Sequence, residues 1–234
     1  MWAADFTKPK AGLWQGKDRL FFVRDLGSGA QLAAVACRGE KPKVACAVLL
    51  ALIALFGAPL ILKKDNGGAF RSHVLHAVLD EDGITPLDSP PYTPEYNGAC
   101  ERSGGNFKQR VTHIALIQGR TDHWLPRDID EALLVANTTS RPNGATRPTP
   151  AEAFEDRRQI TKRERMAFKQ TRRAEIESAL KTFKHENGRM PTCSERASID
   201  RKATQHALCE HGNLRIRRGR LSTPISAWKS GIKA

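Results

Sequence analysis

Apolar residues cluster in short runs through the first two thirds of the chain, then thin to single positions at helical spacing. Trp2 to Phe6 is a brief run around Asp5 and reads as a clipped first strand. Arg19 to Val23 and Gln31 to Cys37 read as two more strands, joined through Gly27-Ser28-Gly29, which suits a hairpin turn. Val44 to Leu62 is 19 residues without a charged or polar side chain, long enough to imitate a membrane span. Gly57-Ala58-Pro59 interrupts it, so it predicts a helix over 44–56 and a strand over 60–63 running into Asp65. Both pieces are apolar all round, which predicts burial on all sides inside an α/β core.

A helix over 70–79, a strand over 84–87 and an irregular, turn-rich loop from Ser89 to Gly98 follow, and then a helix carrying Glu101. Another helix is expected over 130–137. Three hairpin-linked strands followed by alternating strands and helices predict a mixed sheet flanked by helices. Beyond residue 156 the pattern predicts a long basic helix over 157–186, a helix over 198–210, and a strand over 214–221 that alternates apolar residues with Arg.

Charge sharpens the division. The net charge is +13. Residues 1–155 hold 18 Lys and Arg against 17 Asp and Glu, whereas residues 156–234 hold 20 against 8. A nearly neutral domain, 1–155, is thus followed by a strongly basic region, 156–234. Such a region favours a polyanion, because each neutralised phosphate releases condensed counterions. The five cysteines form no C-x-x-C pair, which fits a reducing, cytoplasmic setting. His206, Cys209, His211 and Cys193 match no common zinc-finger spacing.

Three acids then stand out. Phosphoryl transfer on DNA uses two divalent ions about 4 Å apart, held by a few carboxylates that converge from separate elements. Asp5 lies at the end of a predicted strand, Asp65 just past the end of another, and Glu101 on the first turn of a helix. In α/β sheets sites form at strand ends.

The segments WAADF around Asp5, KKDNGGAF around Asp65 and PPYTPEYNGACER around Glu101 resemble the three signatures of the integrase core domain. That family holds retroviral integrases and many insertion-sequence transposases and has a ribonuclease H-like fold. The 35 residues between Asp65 and Glu101 match its characteristic spacing, and RPTPAEAF at 147–154 resembles the end of many such domains. The resemblance covers about residues 1–155. It implies that Asp5, Asp65 and Glu101 are the catalytic carboxylates and hold two Mg²⁺ or Mn²⁺ ions. It implies that DNA, both element ends and target, is the substrate, bound by a homo-oligomer. Water would hydrolyse a phosphodiester, and the freed 3′-hydroxyl would attack the target strand.

By the same resemblance Asn66 and Gly67 shape the turn after Asp65 and let DNA approach. Tyr92, Pro94, Asn97 and Gly98 form a mobile loop beside the scissile phosphate, with Asn97 also placed to cap the next helix. Arg102 and Lys108 touch phosphates; Lys108, seven residues after Glu101, shares its helix face. The chain departs from the family at Lys64, where a small polar residue is common, and at Ala69, often Glu. Only four residues precede Asp5, whereas the family's first strand is longer and follows a helix-turn-helix domain, so a clipped core is expected. Two rival readings stand: a nuclease that hydrolyses without joining, and a relic that only binds DNA.

Gly104 and Gly105 fall on the Glu101 face of this helix, each costing about 1 kcal/mol against Ala. Their missing side chains are read either as admitting the DNA backbone or as leaving a locally weak helix. Replacing both with Ala is expected to raise the melting temperature and depress DNA cleavage; unchanged cleavage in a gel assay rejects that role.

Overall fold

The computed structural model describes residues 1–89, 94–142 and 144–216, with backbone only for 94–101. Strands β1 (Trp2–Thr7), β2 (Gly12–Leu13), β3 (Arg19–Asp25) and β4 (Gln31–Cys37) precede helix α1 (Pro42–Phe56). Next come β5 (Ile61–Lys64), α2 (His73–Glu81), β6 (Thr85–Asp88), α3 (Pro94–Ile117), β7 (His123–Trp124) and α4 (Pro126–Thr138). Helices α5 (Pro150–Glu155), α6 (Lys162–Asn187) and α7 (Cys193–Glu210) complete the described chain.

Five strands form one sheet in the order β4-β3-β1-β5-β6, with the first pairs antiparallel and the β1-β5 and β5-β6 pairs parallel. This is the mixed sheet expected from the order of elements, and its strand order agrees with the ribonuclease H-like fold that the family resemblance implied. The strand over 60–63 is observed one residue later. Gly57, at φ +79°, ends α1, and its N–H still reaches the Ile53 carbonyl. Among the described residues no helix is long and apolar enough to cross a membrane.

Alternation along β1 builds both faces. Trp2 and Ala4 join Phe21, Leu62, Leu49 and Leu75 beneath α1 and α2. On the other face Leu20 and Phe22 pack under α3 and α4 through Phe107, Val111 and Ile129. The Phe22 and Phe107 rings lie 5.4 Å apart. The expectation that α1 is buried on every side does not hold: Leu50 and Leu55 are 47% and 73% exposed. The helix covers a single sheet face, so its far side has nothing to meet.

The basic region folds back on the sheet. Helices α6 and α7 pair, and Phe168 and Ala207 join Leu60, Ile61 and Leu87 in a third apolar cluster. Arg165 is buried and donates to the carbonyls of Asp82 and Ile160 at 2.7 and 2.6 Å. Both helices start with capping boxes, Thr161 with Glu164 and Thr192 with Glu195. The Arg158 guanidinium and the Thr161 backbone hold the Glu164 carboxyl down to about 2. The helix expected over 198–210 thus starts five residues earlier, because Thr192 satisfies its first N–H groups. Leu214 to Ile216 show no strand, and the remainder of the strand expected over 214–221 lies outside the described residues.

Phe168→Ala removes the ring at the centre of the hairpin–sheet contact. It is expected to cost about 3–5 kcal/mol in chemical denaturation, as for other buried Phe residues. A loss under about 1 kcal/mol would show that the hairpin is not docked on the core.

Candidate active site

In the β1–β3 ladder Asp5 pairs with Phe22 and Thr7 with Leu20, both of which lie on the α3 face of the sheet. Asp5 and Thr7 therefore belong to that face. In the parallel β1–β5 ladder Trp2 pairs with Leu62 and Ala3 with Lys63. The ladder ends at Ala3 and Lys63; its register, continued by two residues, would bring Asp65 level with Asp5, about one strand spacing of 4.8 Å away. Both carboxylates are half-buried at the carboxyl end of the parallel pair.

The turn after β5 is built around Asp65. The Gly67 N–H donates to Asp65 Oδ1 at 2.9 Å. Gly67 has φ −61°, which any residue adopts, so its need for glycine is spatial. A Cβ there would stand 3.0 Å from Asp65 Oδ1 and 3.3 Å from Oδ2. Asn66 donates to the Ser89 carbonyl at 2.8 Å, tying the ends of β5 and β6 together. These two residues shape the turn, as their sequence suggested.

Lys64, whose charge is unusual beside such an acid, turns to the opposite face. It is 2% exposed and donates to Asp88 Oδ1 at 2.6 Å. Lys64 and Asp88 are register partners in the β5–β6 ladder, so strand pairing itself neutralises the cation.

Helix α3 crosses beside this pair. Lys108 Nζ donates to Thr7 Oγ1 at 2.9 Å, which holds an ammonium group two residues along β1 from Asp5. Glu101 occupies a helix position two turns before Lys108 on the same face. The Glu101 and Asn97 side chains, and Tyr92 altogether, lie outside the described residues. The helix starts at Pro94, so Asn97 lies inside it rather than capping it, and Pro94 and Gly98 are helical rather than in a loop. Proline at the first helical position is pre-set for the turn and lacks only an N–H that would be unpaired there. At Gly104 and Gly105 a Cβ would meet nothing within 4 Å, so the space beside them is open. Arg102 is exposed and lines a cleft with Arg110, which lies about half a turn round α3 from Lys108.

Sequence reading passed over Thr7 and Asp88. The signals were present: Thr7 follows Asp5 by one strand period, and Asp88 ends the strand next to that of Lys64. The histidine and cysteine residues near the end do not converge. His211 Nε2 meets Thr171 Oγ1 at 2.9 Å, while His206 Nδ1 lies 3.3 Å from Glu175. Among the described residues one potential metal-holding group of three or more His, Cys or acidic residues is found, Glu175, His206 and Glu210, and it is partly exposed and remote in sequence from Asp5 and Asp65.

No family model matches the chain. Over 146 residues, 62% of its length, it is 35% identical to the Pol polyprotein of radiation murine leukemia virus, of which it spans 24%. The HTLV-2 integrase catalytic core domain in complex with magnesium superposes with a TM-score of 0.53 at 23% identity, covering 65% of this chain and 94% of that one. The BIV integrase catalytic core domain gives 0.52 at 25% identity, covering 66% and 93%.

On the expectation that Asp65 holds metal, Gly67→Ala should push its carboxylate aside and lower Mg²⁺-dependent DNA cleavage by about 10- to 100-fold, the range seen when groups supporting a metal ligand are lost. Stability should stay within about 1 kcal/mol, since the backbone conformation suits alanine. Full activity in Gly67→Ala would show that the Asp65 position tolerates displacement.

Proposed function

We propose that this chain, which has the fold of retroviral integrase catalytic cores and sequence similarity to a retroviral Pol polyprotein, is a metal-dependent polynucleotidyl transferase that cuts and joins DNA strands. The observation that supports the reading is the parallel β1–β5 register, which, continued past Ala3 and Lys63, would bring Asp65 level with Asp5 on the sheet face that α3 crosses.

Asp5, Asp65 and Glu101 would hold two Mg²⁺ or Mn²⁺ ions. The donor set fits, because Mg²⁺ takes hard carboxylate oxygens and retains water, and neither His nor Cys is needed. Metal bound there would supply charge stabilisation for the phosphoryl oxygens and acidify a bound water. The chain's own groups do the rest. The Gly67 N–H fixes one Asp65 oxygen and leaves the other open. Thr7 orients the Lys108 ammonium, which serves as a phosphate contact beside the carboxylates. Asn66 ties the ends of β5 and β6 and steadies the turn that carries Asp65.

DNA is the proposed substrate, as both the element end and the target, and the basic residues of α6 and α7 add phosphate contacts. The HTLV-2 core is described in a trimeric form, and self-association is proposed for this chain as well. Because the chain spans about a quarter of the Pol polyprotein, these partners are carried from the core alone.

Asp65→Asn keeps the shape and the Gly67 contact while removing the charge. With Mg²⁺ and a duplex bearing pre-cleaved ends, wild type is expected to form strand-transfer products. Asp65→Asn should lose them by more than about 100-fold, beyond what an outer-shell change costs. Hydrolysis without joined product would assign a nuclease. Metal-dependent products that persist unchanged in Asp65→Asn would reject the site.

A further inference from the structure

A cleft of about 430 Å³ opens behind α3, away from Lys108. Arg102, Asn106 and Arg110 recur every four residues along α3 and form one wall. Arg24 and Gln31 of the β3–β4 hairpin and Ser140 after α4 form the others, and among the described residues no carboxylate lines it. The hairpin is cut to fit. Gly29, at φ +81°, passes so close to Arg24 that a Cβ would stand 3.1 Å from its Nη2. Glycine at this turn therefore gives the guanidinium room.

The polar groups in this cleft are held in place but incompletely satisfied. Arg110 Nη2 donates to Ser140 Oγ at 3.0 Å, whereas its Nη1 is buried with no hydrogen-bond partner among the described residues. Gln31 is pinned by its backbone, whose N–H and carbonyl bond the Asn137 amide at 2.8 and 2.9 Å. Its side chain is buried against Ser103 Oγ at 2.7 Å, and the Oε1 end is unpartnered. Rotating that amide by half a turn lets the Ser103 hydroxyl donate to Oε1 and turns the NH₂ outward as a donor. A buried guanidinium N–H with no acceptor is costly, and an entering anion removes the cost. Two arginines on one helical stripe, an adjacent amide and no acid among the described lining residues match a tetrahedral oxyanion with several acceptor oxygens.

We propose that this cleft binds a phosphate group, supplied by a DNA backbone passing behind α3 or by free phosphate. The described lining includes neither Asp5 nor Asp65, though Arg24 and Asp5 sit on one sheet face, so a phosphate held here would neighbour one at the carboxylates.

The test uses the full chain in EDTA, so its outcome does not depend on catalysis and survives a failure of the strand-transfer assay. Inorganic phosphate is titrated at constant ionic strength against chloride while thermal unfolding is followed. A duplex is titrated in parallel by fluorescence anisotropy across a salt series. Wild type is compared with Arg102→Gln and Arg110→Gln. Arg102 is exposed, so its variant keeps the test valid if Arg110→Gln fails to fold. Phosphate is expected to raise the melting temperature of wild type, with half-saturation shifted at least fivefold upward in Arg102→Gln. If DNA is the source, duplex affinity also falls severalfold and the salt slope drops by about one per arginine lost. A phosphate response without any change in duplex binding assigns free phosphate. Equal phosphate and duplex responses in wild type and Arg102→Gln overturn the proposal.

Discussion

The parallel pairing of β1 with β5 is the constraint from which the rest of the site follows. Two backbone pairs, Trp2 with Leu62 and Ala3 with Lys63, set the relative height of strands 60 residues apart. A slip by one residue would turn Asp65 to the face covered by α1 and α2 and bring Lys64 to the face of Asp5. The register is held by burial: Trp2, Ala4 and Leu62 all face the same apolar cluster and are each no more than 2% exposed. Hydrophobic packing on one side of the sheet thereby positions charge on the other.

Charge placement depends on the same ladder. Two acids at one strand end need the neighbouring cation elsewhere, and the β5–β6 register supplies this by setting Lys64 against Asp88. Helix α3 completes the arrangement because Phe107 and Val111 anchor one side of it in the core. That anchoring leaves Lys108 beside Thr7 and, on the opposite side, leaves Arg102 and Arg110 over the cleft. One helix thus presents cations on two of its sides.

The basic region is tied to this frame rather than trailing from it. Phe168, fully buried, reaches the β5–β6 edge, and Arg165 closes over the carbonyls of Asp82 and Ile160. A composition step near residue 156 therefore marks a change in surface charge more than a break in packing. Only the apolar positions Phe168 and Ala207, sparse among many Lys and Arg, betray that one stripe of the hairpin is interior.

Local order was legible in the chain. The alternation around Asp5, the apolar run ended by Gly57-Ala58-Pro59 and the 35-residue interval to Glu101 are carried by neighbours along the sequence, and period and turn chemistry are short-range physics. They named the elements and two of the strand-end acids. What only the tertiary structure decided is whatever depends on which strands pair and on how helices are rotated against the sheet. That covers the β1–β5 register that gives Asp5 and Asp65 one sheet face, the capture of Lys64 by Asp88, the seating of Lys108 on Thr7 and the arginine cleft beside α3. Each joins residues distant in sequence, and no local propensity encodes register or rotation; burial of the whole core selects them.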